Sequence, residues 1–400
     1  MSNFKKQLEQ EFKNKRYDDL DDNKKNEIKL NSVNIIMKEI TDNKNRYIFY
    51  CPDIALVNPL VKLVYEVALE VKKAGHNVVI LHELAGFKAH WLYDHEDYAE
   101  YKSIPVDYII NKVSKKSKRQ KNMYSFRASD TLVVTDAYQD MLENILSEES
   151  LKLVQKIVIV TGYMGLSSLQ PGMDYNRLNV NSLVFFDENV KADYDELFNT
   201  KSYLINNYPV SNGFNREVIK PGEVYPVIGI TSIGNNDKAQ QLINVFYNRY
   251  PNLSMFTFKV ISRDNMESFI DNLSTSAAIV VLDKNIVTKQ MIYEYLNMGG
   301  TPILPKRREF SDNPILTKNF VVEDDIFDMA STIANFCQYW LSTPTSEIKK
   351  SMIQIADELE LNNRSLNDFG ETVKAIFGEL QANRQKTFGG LKEMLENESK

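Results

Sequence analysis

The sequence predicts an α/β protein built from two doubly wound, Rossmann-like parallel sheets. Three observations predict it. Short apolar runs alternate with amphipathic helical stretches from residue 46 to about residue 342. The runs are near-continuously apolar, as in Ile157-Val158-Ile159-Val160, which suits strands covered on both faces. A Gly- and Pro-bearing stretch, VSNGFNREVIKPGEVYP, breaks the alternation into two sets.

The first set opens on the run Tyr47–Cys51, ended by Pro52-Asp53. Leu60, Leu63, Val64, Val67, Val71 and Ala74 follow at helical spacing, and Gly75 stands where a helix C-cap glycine belongs. Val78–Leu81 is the next strand, so this unit is strand–helix–strand with short connections, which implies a parallel pair. Further strands are expected at Ile104–Ile110, Thr131–Thr135, Ile157–Thr161, Ser182–Phe186 and Tyr203–Asn206, with helices at Tyr138–Ser147 and Asp193–Phe198. The second set has strands at Val227–Ile230, Met255–Ile261, Ala278–Leu282 and Thr301–Leu304, and an edge strand at Phe320–Val322. Its helices are Lys238–Tyr250, Met266–Leu273, Lys289–Met298 and Ile326–Tyr339.

The domains expected are therefore 45–212 and 213–345, with an N-terminal extension 1–44 and C-terminal helices 346–400. In the extension, Phe4, Leu8 and Phe12 form one helical stripe, and Val33–Met37 with Tyr47–Tyr50 suggests a hairpin about the turn residues 41–45. In the tail, Ile348, Met352, Ile355 and Leu359 form one stripe; Phe369, Val373, Ile376, Phe377 and Leu380 form another.

Composition narrows the class. The chain of 400 residues is 43% hydrophobic and 26% charged, with a net charge of −6. That usage excludes a disordered chain, and 15 Gly with 12 Pro exclude a collagen-like one. No apolar run approaches the ~18 residues of a membrane span, and the charged start lacks a signal peptide's apolar core. Two cysteines, Cys51 and Cys337, make no disulfide framework and point to a reducing, cytoplasmic compartment. The acidic balance argues against nucleic-acid binding over the whole surface. Asn-, Lys- and Ile-rich usage suits an AT-rich bacterial or viral genome, such as a phage's.

No P-loop, G-x-S-x-G or H-E-x-x-H motif occurs, and the spacing of His82, His90 and His95 matches no zinc site, so no metal is expected. Lys112, Lys115, Lys116, Lys118, Arg119 and Lys121 form a basic run, and Lys306, Arg307 and Arg308 another; a solvated loop is the ordinary role of such runs, contact with an anionic partner the alternative. Asp53, Asp136, Asp187 and Glu188 follow strands, where a doubly wound sheet faces its ligand crevice.

Two stretches carry a resemblance. AGHNVVIL matches the helix end, G-H-x-V and strand of the large retaining group of GT-B glycosyltransferases, and MIYEYLNMGGTPILP resembles that family's Glu-bearing helix followed by G-x-P and a strand. The resemblance covers about residues 46–342. It implies a metal-independent transferase, with no cofactor, that moves a sugar from a nucleotide-sugar donor to an acceptor with retention of configuration. The second domain would hold the donor and the first the acceptor, whether glycan, protein or nucleic acid. The tail helices would cross back onto the first domain.

Carried over residue by residue, Lys238 and Arg263 would neutralise the leaving diphosphate. Glu294 would hold the nucleotide ribose. Gly299, Gly300 and Thr301 would present backbone N–H groups near the sugar phosphate. The chain departs from the family pattern at four places: the glycine pair of the first loop is Pro52–Asn58, Thr231 or Ser232 replaces an arginine, a second acid before Glu294 is missing, and so is a histidine after Ile157–Val160. Those departures sustain two alternatives, a non-catalytic GT-B-like scaffold and a transferase acting on a nucleic-acid base.

Overall fold

Successive residues of one strand enter opposite cores, and that alternation makes each sheet a buried middle layer. In a computed structural model, residues 20–50, 59–83, 102–106, 126–136, 139–147, 151–161, 175–205, 224–231, 236–261, 272, 275–282, 289–363 and 366–398 are described. Helix α1 (Asp22–Thr41) precedes a seven-stranded sheet made of β1 (Arg46–Tyr50), β2 (Asn77–Glu83), β3 (Lys102–Val106), β4 (Thr131–Thr135), β5 (Gln155–Val160), β6 (Ser182–Phe185) and β7 (Lys201–Leu204). Their spatial order is β3-β2-β1-β4-β5-β6-β7, and every neighbouring pair is parallel. Helices α2 (Pro59–Lys73), α3 (Gln139–Leu146) and α4 (Glu188–Leu197) lie between these strands in the chain.

Tyr47 and Phe49 enter one core with Leu63, Val67 and Val71 of α2. Ile48 and Tyr50 enter the other with Leu142 and Ile145 of α3 and Tyr194 of α4. Each fully buried aliphatic or aromatic side chain of this kind stabilises the fold by roughly 1.5–3 kcal/mol. Gly75, at φ +89, ends the α2 turn where a left-handed residue is required. Asp187 caps α4 by accepting from the N–H groups of Asn189 (2.9 Å) and Val190 (3.1 Å). This cap starts the helix five residues before Asp193.

The second sheet contains β8 (Tyr225–Thr231), β9 (Thr257–Ile261), β10 (Ser276–Val281), β11 (Thr301–Pro305) and β12 (Val321–Val322), in the order β12-β11-β10-β8-β9 and again wholly parallel. Helices α5 (Asn236–Arg249), α6 (Lys289–Asn297), α7 (Arg308–Ser311), α8 (Pro314–Asn319) and α9 (Ile326–Ser342) accompany it. Ile228, Ile230 and Ala278 pack on Leu242 and Phe246 of α5 and Ile333 of α9. Ile279 and Val281 pack on Ile292 and Leu296 of α6. The expected fold class, two doubly wound α/β sheets, is what the chain adopts. The helix expected at Met266–Leu273, apart from Asn272, and the stripe Phe4, Leu8, Phe12 lie outside the described residues.

The stretch 346–400 divides between the two cores. Helix α10 (Thr345–Asn363) places Met352, Ala356 and Leu359 in the second sheet's core. Helix α11 (Leu366–Glu398) places Phe369, Val373, Phe377 and Leu380 against the first. The hairpin expected over 33–50 is corrected: residues 22–41 are one helix. Asp21 caps it by accepting from the N–H of Lys24 at 2.8 Å, and Asn43, at φ +54, follows its end. Val33, Ile36 and Ile40 are one turn apart, and they bury together against Phe388, Leu391 and Leu395 of α11.

Polar groups at the amino ends of the first sheet's strands are tightly partnered. Asp130, fully buried, accepts from Arg46 Nε (2.9 Å), Arg46 Nη2 (2.5 Å) and the N–H of Arg127 (2.7 Å). Lys156, buried in β5, donates from Nζ to the carbonyls of Leu146 (2.6 Å) and Leu178 (3.1 Å). Burial, and then the charge of Lys152, lower its pKa to about 8. Below that pH the ammonium is carried at a desolvation cost. From about 8 up to the ordinary lysine range near 10.5 the unfolded chain holds more protons, so this group's contribution to stability rises with pH. Lys156→Met is expected to lose that rise. Urea midpoints of both proteins, compared at about pH 7 and about pH 10, check it: the wild type should gain on the variant at the higher pH.

Candidate functional site

Ligands of open doubly wound sheets settle beyond the carboxyl ends of the strands, where successive connections diverge. In the second sheet that point lies between β8 and β10, since β8 leads through α5 to β9 on one side and β10 through α6 to β11 on the other. Three charged side chains from separate connections meet at this edge. Lys238, in the first turn of α5, donates from Nζ to Oδ1 of Asp324 at 2.8 Å. Asp324 follows β12. Arg307 follows β11, and its Nε stands 3.8 Å from the other Asp324 oxygen. Its Nη2 donates to the carbonyl of Leu282, just past β10, at 2.6 Å.

Arg307 is the anchored member. Its side chain is 11% exposed, against 34% for Lys238 and 37% for Asp324. Nε and Nη1 are buried and make no hydrogen bond. A guanidinium held by one nitrogen keeps the N–H groups of the other two for further acceptors. A single carboxylate between two cations keeps them near each other while the site holds no anion. A dianion has the charge to engage both cations.

The expected site residues do not all converge here. Lys238 does. Arg263 lies outside the described residues, as does the side chain of Glu294, whose backbone is in α6. Gly299, Gly300 and Thr301 sit at the opposite, amino-terminal edge of β11. Two of these expected phosphate donors spend their N–H groups within the fold: that of Gly299 donates to the carbonyl of Leu296 (2.8 Å) and that of Gly300 to the carbonyl of Tyr295 (3.0 Å). This pair of bonds closes α6 and leaves neither N–H for a ligand. Gly299 has φ +83, and a Cβ on Gly300 would stand 2.2 Å from the buried Tyr295 ring. Gly300→Ala is therefore expected to cost about 1–3 kcal/mol of stability and leave ligand affinity of the folded protein unchanged. Thermal melting and nucleotide titration together check it.

Of the carboxylates that follow strands, Asp136 ties β4 to β5, its Oδ1 accepting from the N–H and Oγ1 of Thr161 (2.8 and 2.7 Å). Asp187 is a helix cap. Asp53 and the basic run 112–121 lie outside the described residues. Thr231 Oγ1 donates to the carbonyl of Val280 inside the sheet. Sequence reading gave Arg307 as part of a basic run without pairing it with Lys238, and it missed Asp324; the signal was an acidic pair after an edge strand. Among the described residues no three His, Cys, Asp or Glu side chains are grouped to hold a metal, and no helix is long and apolar enough to cross a membrane.

No protein-family model matches the chain, and no curated protein matches it. Solved structures do resemble it. A glycosyltransferase from Rickettsia africae is 15% identical with a TM-score of 0.43, covering 85% of this chain and 98% of its own. An O-GlcNAc transferase from Thermobaculum terrenum is 9% identical with a TM-score of 0.48, covering 88% of this chain and 68% of its own. The sucrose-phosphate synthase of Thermosynechococcus elongatus is 13% identical with a TM-score of 0.42, covering 86% of this chain and 100% of its own.

Proposed function

We propose that the chain is a GT-B-type glycosyltransferase that moves a sugar from a nucleotide-sugar donor to an acceptor, without a metal and with retention of configuration. Residues 213–345 serve the donor and 45–212 the acceptor. The observation that carries this reading is the Lys238–Asp324–Arg307 cluster at the switch point between β8 and β10. When the sugar–oxygen bond breaks, the electron pair stays on the departing nucleoside diphosphate. Cations already fixed beside that oxygen stabilise the growing charge without reorganisation. Lys238 supplies one, and Arg307 supplies the second that Thr231 and Ser232 lack. Arg263 and Glu294 keep the diphosphate and ribose roles that the sequence resemblance implies.

Asp324 fits this scheme as an exchangeable partner. It holds the two cations when no donor is bound and yields them to phosphate oxygens. A thermal-shift series with UDP, GDP, ADP and CDP and their sugar conjugates tests the proposal. A ligand at about 100 times its Kd adds roughly 2.7 kcal/mol, which moves melting by several degrees. One nucleotide is expected to do so. Absence of a shift with every one of them would overturn the proposal in favour of a non-catalytic scaffold.

A further inference from the structure

On the opposite edge of the first sheet lies an open cavity of about 580 Å³, lined by the amino ends of β5, β6 and β7 and by α11. That volume falls within the range of roughly 300–1,000 Å³ typical of small-molecule sites. It opens at the strand edge opposite to the one where a doubly wound sheet takes its usual ligand. Among the described residues its charged lining is Lys152, Lys201 and Arg384, with no Asp or Glu.

Arg384 sets the character of this space. It is 6% exposed, and its guanidinium donates to Oγ1 of Thr131 (2.8 Å) and to the carbonyl of Ala128 (2.5 Å). Both acceptors are neutral, so neither cancels its charge. The nearby carboxylate, Asp130, offsets part of that charge, but its oxygens are taken up by Arg46 and the N–H of Arg127. Lys201 is held at the rim by Glu379, which also accepts from Tyr203 Oη at 3.3 Å. The positive charge of Lys152 reaches through the wall to Lys156. A concave site with low-dielectric walls focuses such a field.

The neutral lining is rich in amides. Asn176 accepts at Oδ1 from Thr200 Oγ1 (3.0 Å), and Asn181 accepts at Oδ1 from the N–H of Lys156 (2.7 Å). Their acceptor ends are thus spent and the Nδ2 donors remain. Cations plus amide donors suit a guest rich in acceptor oxygens and negative charge. We propose that this cavity binds a small phosphorylated polyol, the chemical class of sugar phosphates, at a site separate from Lys238 and Arg307. The proposal does not rest on the glycosyl-transfer reading.

Calorimetric titration of the full chain with a hexose 6-phosphate, with the same hexose unphosphorylated, and with inorganic phosphate tests it. The hexose phosphate is expected to bind, with affinity falling steeply as salt is raised. Lys152→Gln combined with Lys201→Gln, both remote from the core, should weaken it by about tenfold or more while leaving the melting temperature near that of wild type. Arg384→Lys is the sharper change, but it also disturbs a buried network, so the lysine pair is the deciding variant. Lys238→Gln should leave the binding intact. No heat with the hexose phosphate would overturn the proposal. So would equal binding of the unphosphorylated hexose, equal binding of phosphate alone, or loss of binding in Lys238→Gln rather than in the lysine pair.

Discussion

Asp130→Ala is expected to destabilise the protein by about 3–5 kcal/mol, the usual cost of stripping one partner from a buried ion pair. The side chain is fully buried and its Arg46 partner is only 15% exposed. Removing the carboxylate strips the Arg46 guanidinium of its two-pronged partner in a low-dielectric pocket. It also withdraws the acid that offsets Arg384, whose pKa burial already lowers to about 10. The N–H of Arg127 loses its acceptor as well. Urea unfolding measures the effect. Arg46→Met combined with Asp130→Leu should cost less than Asp130→Ala alone, because both members of the ion pair are replaced together. A loss below about 1 kcal/mol in the single variant would show that the network is not the anchor described.

The second large effect concerns binding. Arg307→Ala is expected to weaken the nucleoside diphosphate found in the thermal-shift series by about 30-fold, or roughly 2 kcal/mol, the scale of a charge-assisted hydrogen bond. Arg307→Lys should recover little, since an ammonium cannot bridge the Leu282 carbonyl and an oxyanion with one planar fork. Asp324→Asn should act the other way. It removes the carboxylate that competes for Lys238 and Arg307, so affinity should rise several-fold at low salt. A double-mutant cycle between positions 238 and 307 reads their coupling. Unchanged affinity in Arg307→Ala would detach the cluster from donor binding.

The alternation of elements was legible because the central strands are apolar through both faces and the main helices carry an apolar stripe. Helix 22–41 was not. Its buried residues are few, Val33, Ile36 and Ile40, and the compact run Val33–Met37 imitates a strand. The three residues are apolar because α11 covers them, a partner that lies far along the chain. Gly299-Gly300 read as a phosphate cradle because two glycines at a helix–strand junction have two uses. Which one applies depends on where the N–H groups point, and here they turn back into α6. Lys238 was legible from its place in the first turn after a strand. Its pairing with Arg307 was not, since it runs through Asp324 and exists only once β11 and β12 lie beside β10.

The position of α11 has a consequence for how the chain is made. Tyr47 of β1 donates to the carbonyl of Phe377, 330 residues away in sequence. Gln381 likewise reaches back 341 residues to the carbonyl of Ile40. On the ribosome, the first sheet therefore emerges with one apolar face covered by α2 alone, and the second unit must be synthesised before the rest of its cover arrives. Contacts this distant close slowly. During that interval the exposed face is a substrate for chaperones and for misassembly. Nascent chains arrested before residue 366 should stay protease-sensitive around β1 and α1, and chains extended past 398 should become resistant there.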